Sequence, residues 1–106
     1  MSDWQDKSDF EINTMATSIV FNCEGWACNG VEFYHCGADG NGYFSQPILD
    51  YCNNPSDAWS IILENNIIIE PRKNNTSLAY IKGDAPNEDK NPLRAAMIVY
   101  LEMNNA

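Results

Sequence analysis

The stretch Asn65-Asn66-Ile67-Ile68-Ile69-Glu70-Pro71-Arg72-Lys73-Asn74-Asn75-Thr76-Ser77-Leu78-Ala79-Tyr80-Ile81 decides the fold. Three successive β-branched residues, Ile67 to Ile69, read as a buried strand, and Pro71, which has no amide hydrogen for a sheet ladder, terminates it. Arg72 to Thr76 is a polar turn, and Ser77 to Lys82 returns through Leu78-Ala79-Tyr80-Ile81, so the segment is a hairpin with a five-residue loop. Helix signals flank it on both sides. Asn54-Pro55 upstream and Asn91-Pro92 downstream each join a capping side chain to a proline at the first helical position, where the missing amide hydrogen would be unpaired anyway. Ala58, Trp59, Ile62 and Leu63 form an apolar stripe behind the first start, closed by Asn65-Asn66. Ala95, Ala96, Val99 and Met103 share a face behind the second, with Ile98 and Leu101 beside it.

Further upstream, Ser8 followed by Glu11 is a capping box, and Ile12, Met15, Ala16, Ile19 and Val20 recur at helical spacing, which predicts a helix over about residues 9–22. Gly25, Asn29 and Gly30 break it. Val31 to Cys36 alternates as a half-buried strand does, Gly37 to Gly42 is a turn by composition, and Tyr43-Phe44 opens a strand that Pro47 either shortens or confines to an edge. Gly83 to Lys90 reads as a charged, mobile connector. The order of helices and strand pairs predicts an α+β class: a small antiparallel sheet with about three helices. It forms a single domain over residues 8–106, preceded by a flexible acidic terminus over residues 1–7. Trp59, Ile62, Ile68, Leu78, Ala96 and Val99 are the expected core.

Three blocks carry a resemblance: Ser8-Asp9-Phe10-Glu11-Ile12-Asn13; Cys52-Asn53-Asn54-Pro55-Ser56-Asp57-Ala58-Trp59 with Ile61-Ile62-Leu63-Glu64-Asn65; and Lys90-Asn91-Pro92-Leu93-Arg94-Ala95-Ala96-Met97-Ile98-Val99-Tyr100-Leu101. Through them the chain resembles the NinX-like family of small phage and prophage proteins from about residue 8 to 103, the second and third blocks being the specific ones. The stretch from Cys23 to Gly42 departs from the family pattern. The resemblance implies a phage-derived, intracellular accessory protein, and it carries over no catalytic residue.

Charge narrows the functional classes. The chain has 106 residues, 44% hydrophobic and 11% aromatic, with 15 acids against 6 bases for a net −9. A chain of this length can bury about two-thirds of its surface around one core. Nucleic-acid affinity rests on Lys and Arg neutralising phosphates, so direct nucleic-acid binding is excluded as an expectation. The acidic start Met1-Ser2-Asp3-Trp4-Gln5-Asp6-Lys7 lacks the basic and apolar regions of a signal peptide, and no apolar run approaches the ~20 residues of a membrane span. The expected location is the cytoplasm of the bacterial host, where cysteines stay mainly reduced.

Cys23, Cys28, Cys36 and Cys52, with His35 beside Cys36, supply enough soft ligands for zinc. They lack the Cys-x2-Cys knuckle of structural sites, so they read as small apolar residues and loop thiols. No cofactor is expected; a small zinc-binding domain is the alternative. A Cys–His nucleophile would need His35 to face Cys23, Cys28 or Cys52, because its neighbour Cys36 points to the other face of a strand. With no orienting third group, no catalytic residue and no enzyme activity are expected, and His35 reads as a strand residue facing solvent. Asp39-Gly40-Asn41-Gly42 shares only composition with a calcium loop.

Trp59 reads as core, and Trp4 falls in the flexible terminus. Trp26, in a loop between Gly25 and Ala27, is either an exposed partner contact or an anchor packed on the first helix. Acids crowd the amino end (Asp3, Asp6, Asp9, Glu11) and the connector (Asp84, Glu88, Asp89). The expected partner contacts are Trp26, Asp39, Asp84, Glu88 and Asp89. The acids serve either solubility or partner recognition; as recognition they imply an acidic accessory protein that binds a host protein or complex with a basic surface, with an inhibitor of a host defence or nucleic-acid-binding complex as its concrete form.

Overall fold

Each helix starts on a side-chain cap that the sequence announces. In the computed structural model, which describes residues 3–37 and 42–106, Ser8 precedes α1 (Asp9–Phe21) and its hydroxyl accepts from the Glu11 amide at 3.1 Å. Asn54 caps α2 (Pro55–Glu64) through the Ser56 amide at 3.0 Å. Asn91 caps α3 (Pro92–Met103) through the amides of Leu93 and Arg94 at 3.0 and 3.3 Å. Asparagine also closes turns. Asn22, Asn66 and Asn75 take the left-handed conformation that this side chain tolerates better than most.

Six short strands, all paired antiparallel, complete the described residues. The α+β class is as expected, but the strands divide between two sheets instead of one. β1 (Ala27–Cys28), β2 (Glu32–His35) and β3 (Phe44–Pro47) form the first; β4 (Ile68–Pro71), β5 (Ser77–Tyr80) and β6 (Asn87–Asp89) form the second. The central hairpin has its expected register, with Pro71 opposite Ser77 around the loop 72–76 and the Arg72 amide bonded to the Thr76 carbonyl at 2.8 Å.

The core is built around α3, whose residues Ala95 to Leu101 are all buried. A helix apolar on every side must be covered on every side. The second sheet covers one flank of α3, while α1 contributes Ile12 and Ala16 and α2 contributes Ala58, Ile61 and Ile62 to the same cluster. Polar residues buried on α1 have defined tasks: Asn13 accepts from the Cys52 amide at 2.9 Å and donates to Asp50 at 2.8 Å, and the Thr17 hydroxyl accepts from the Leu49 amide at 3.1 Å.

Three core assignments are corrected. Trp59 is 57% exposed, because α2 turns Ala58, Ile61 and Ile62 toward α3 and leaves Trp59 with Leu63 on the next flank. Ile68 is exposed and Leu78 half-buried, because β4 and β5 present Ile69 and Ala79 to the core and alternation sends their neighbours outward. Ile62, Ala96 and Val99 are buried as expected.

The connector is also corrected, since it supplies β6, with Asn87 buried beneath α3 and donating to the Ala95 carbonyl at 3.4 Å. Residues 3–6 form a 3-10 turn docked on the body where a flexible tail was expected. The Trp4 indole donates to the Ala106 carbonyl at 2.8 Å, and Gln5 bonds to Asn87. Arg94 ties these pieces together. Its guanidinium reaches Asp89 at 3.0 Å, Asp9 at 2.9 Å, and the carbonyls of Gln5 and Lys7 at 3.0 and 2.8 Å.

The molecule is elongated, 54 × 25 × 23 Å. Its radius of gyration of 14.9 Å exceeds the roughly 13 Å of a compact chain of this length. No residue of β1, β2 or β3 joins the main apolar cluster, so the first sheet stands out from the body.

Candidate interaction surface

Antiparallel pairing sets what the first sheet displays. Phe33 lies opposite Gln46 and His35 opposite Phe44, so these four share one face, and alternation gives Glu32, Tyr34 and Ser45 to the other. On the first face the His35 ring lies between Trp26, with centroids 4.3 Å apart, and Phe44, 4.8 Å away and nearly parallel. Its Nδ1 accepts from the Gly37 amide at 3.1 Å. His35 is therefore half-buried among aromatic rings, not a strand histidine turned to solvent. On the other face Tyr34 stacks with Tyr43 at 6.0 Å, and the Tyr43 hydroxyl donates to Glu32 at 2.6 Å, a bond to a carboxylate that pushes the phenol pKa upward.

Large apolar groups nevertheless remain in water. Tyr43, Phe44 and Val31 on or beside this sheet are exposed, as is Phe10 on α1. On α2, Trp59 and Leu63 are each 57% exposed and four residues apart, which puts them side by side on one helix face. The α2 helix carries Asp57 and Glu64 and no basic residue.

The expected contact residues do not converge. Trp26 belongs to the aromatic stack of the first sheet, with His35 as its ring partner. Asp84, Glu88 and Asp89 sit at the second sheet. Asp84 lines a groove with Ile81, Ala85, Val99, Glu102 and Met103. Glu88 is exposed on β6 and accepts from the Thr76 hydroxyl at 2.6 Å. Asp89 is half-buried and engaged by Arg94. Asp39 lies outside the described residues. Sequence reading missed the Trp59–Leu63 pair, although the signal was present: α2 carries two overlapping apolar stripes, and only packing selects which one is covered.

Cys23 and Cys52 are buried, Cys28 and Cys36 exposed, and all four are free thiols. Burial pushes the Cys52 thiol up to about 12 and raises Cys23 as well, so neither favours the thiolate that a nucleophile or metal ligand requires. Among the described residues no three His, Cys, Asp or Glu side chains are grouped to hold a metal. No helix among them is long and apolar enough to cross a membrane. In comparisons with known proteins, a family model described as Bacteriophage P22, NinX matches residues 3–104. No curated protein and no solved structure matches.

Proposed function

We infer the function from one premise: this chain belongs to the bacteriophage P22 NinX family and is a phage accessory protein. We propose that it acts in the host cytoplasm by binding a host protein with a basic surface, without catalysis of its own. The observation that carries this reading is the exposed Trp59–Leu63 pair on α2. Exposed apolar patches mark contact sites, and tryptophan is the residue most enriched among those that dominate binding energy. The occupant follows from charge. Asp57 and Glu64 are the charged residues of α2, the whole chain carries −9, and a complementary partner presents bases around an apolar pocket. Such an arrangement suits an inhibitor that occupies the basic site of a defence or nucleic-acid-binding complex.

The test is affinity capture from host lysate across a salt series, run in parallel with a Trp59→Ala/Leu63→Ala variant. A basic partner is retained by the native chain at low salt, fades as salt rises, and is lost with the variant. Retention of nothing at low salt, or equal capture by the variant, would overturn the reading.

A further inference from the structure

The groove lined by Asp84 has chemistry of its own, which rests on and sharpens the reading of a basic partner. One wall comes from α3: Val99, Glu102 and Met103, spaced i, i+3, i+4 and so aligned on one helix face. The other is Ile81, Asp84 and Ala85, where the chain leaves β5 through a turn closed by the Asp84 amide on the Ile81 carbonyl at 3.1 Å. That turn needs Gly83, whose φ of +94° is a conformation that residues with a Cβ rarely adopt. The volume is about 320 Å³, at the lower edge of the roughly 300–1,000 Å³ range of small-ligand pockets and suited to one side chain.

The lining mixes the apolar side chains of Ile81, Ala85, Val99 and Met103 with two acids, Asp84 and Glu102, and no base among the described residues lines it. A second feature adds to the negative field. The groove lies at the carboxyl end of α3, where backbone carbonyls concentrate negative partial charge, and the last turn of that helix holds no basic residue to offset it. Partial loss of water also raises the Glu102 carboxyl pKa. The side chain that satisfies all of this has an aliphatic stem and a cationic head.

We propose that this groove seats a lysine or arginine side chain of the protein partner, with the stem on Ile81, Val99 and Met103 and the charged head between Asp84 and Glu102. The probes are octalysine and octa(2,4-diaminobutyrate), equal in charge but different in stem length, titrated into the full chain at low salt and followed by amide and methyl NMR. Octalysine shifts the signals of Asp84, Ala85 and Glu102 and the methyl groups of Ile81, Val99 and Met103. It binds about fivefold more tightly than the shorter-stemmed peptide, because each methylene withdrawn from apolar contact weakens binding. Asp84→Asn with Glu102→Gln, both exposed positions, weakens octalysine about fivefold while signals remote from the groove keep their positions.

Shifts centred elsewhere, for example on Asp6 and Glu11, overturn the groove assignment and leave the basic-partner reading standing. Equal binding by both peptides, or by the double variant, does the same. Absence of octalysine binding at low salt removes the groove and the acidic-surface basis of the partner reading together.

Discussion

The body around α3 and the sheet β1–β2–β3 are both rich in large apolar residues, yet they use them in opposite ways. In the body, Met97, Ile98 and Leu101 are wholly withdrawn from water, and the hydrogen bonds of Asn13, Thr17, Asn87 and Arg94 lock neighbouring segments around them. In the first sheet, the His35 ring stacks with Phe44 and meets Trp26 at a tilt, Tyr34 and Tyr43 stack on the opposite face, and Tyr43 and Phe44 stay largely in solvent. A sheet of three short strands has no second layer to cover both faces, so its rings cover each other. Stability therefore resides in the body, whose outer surface also carries the Trp59–Leu63 pair and the groove lined by Asp84.

The comparison breaks most visibly if the body is hollowed. Met97→Ala or Leu101→Ala removes a fully buried side chain and costs about 2 to 5 kcal/mol, read as a lower urea midpoint with an unchanged slope. A cost below about 1 kcal/mol would mean that α3 is not the centre of the cooperative unit.

Alkaline pH attacks the same core through its titratable groups. Burial raises Cys52 from 9.0 and Tyr51 from 10.0, each to about 12, and raises Tyr100 as well. The folded state thus holds these protons more tightly than the unfolded state does. Their contribution is complete below the unfolded pKa values and is lost as pH rises from 9 through about 12. Cys52→Ser should retain only the tyrosine part of that alkaline loss in urea titrations at pH 8 and pH 11. An unchanged difference between the two pH values would remove Cys52 from the account.

Arg94→Ala leaves Asp9 and Asp89 without their cation and two carbonyls without a donor, at a cost of about 2 to 3 kcal/mol. It should also free residues 3–7, so protease cleavage before Ser8 accelerates; unchanged cleavage would show that the Trp4 contacts hold the segment alone. A smaller effect, about 1 kcal/mol, is expected for His35→Ala, which removes the middle ring of the stack. Amide exchange should quicken in β2 and β3 with the midpoint of the body hardly altered, whereas a uniform rise in exchange would mean that the two regions unfold as one. Smallest of all is Trp59→Ala, within about 0.5 kcal/mol of the native chain because the side chain is exposed. A loss comparable to that of Met97→Ala would place the indole in the core after all.

Local chemistry made part of this molecule legible from its sequence alone. The caps at Ser8, Asn54 and Asn91, the helices they start, the hairpin around residues 72–76 and the α+β class follow from interactions spanning a few residues, and such interactions are written in the chain itself. So was the family, whose second and third blocks coincide with the starts of α2 and α3. Other features required partners distant in sequence. Which of two stripes α2 buries depends on where α3 lies, so Trp59 emerged exposed and Ile61 buried. Whether Asn87–Asp89 is connector or strand depends on the free edge of β5, and whether Trp4 is tail or anchor depends on Arg94 and Ala106. The groove assigned a cationic side chain belongs to this second kind. Asp84 and Glu102 are 18 positions apart and meet only because α3 packs across the second sheet, a placement that core packing decides and no local pattern records.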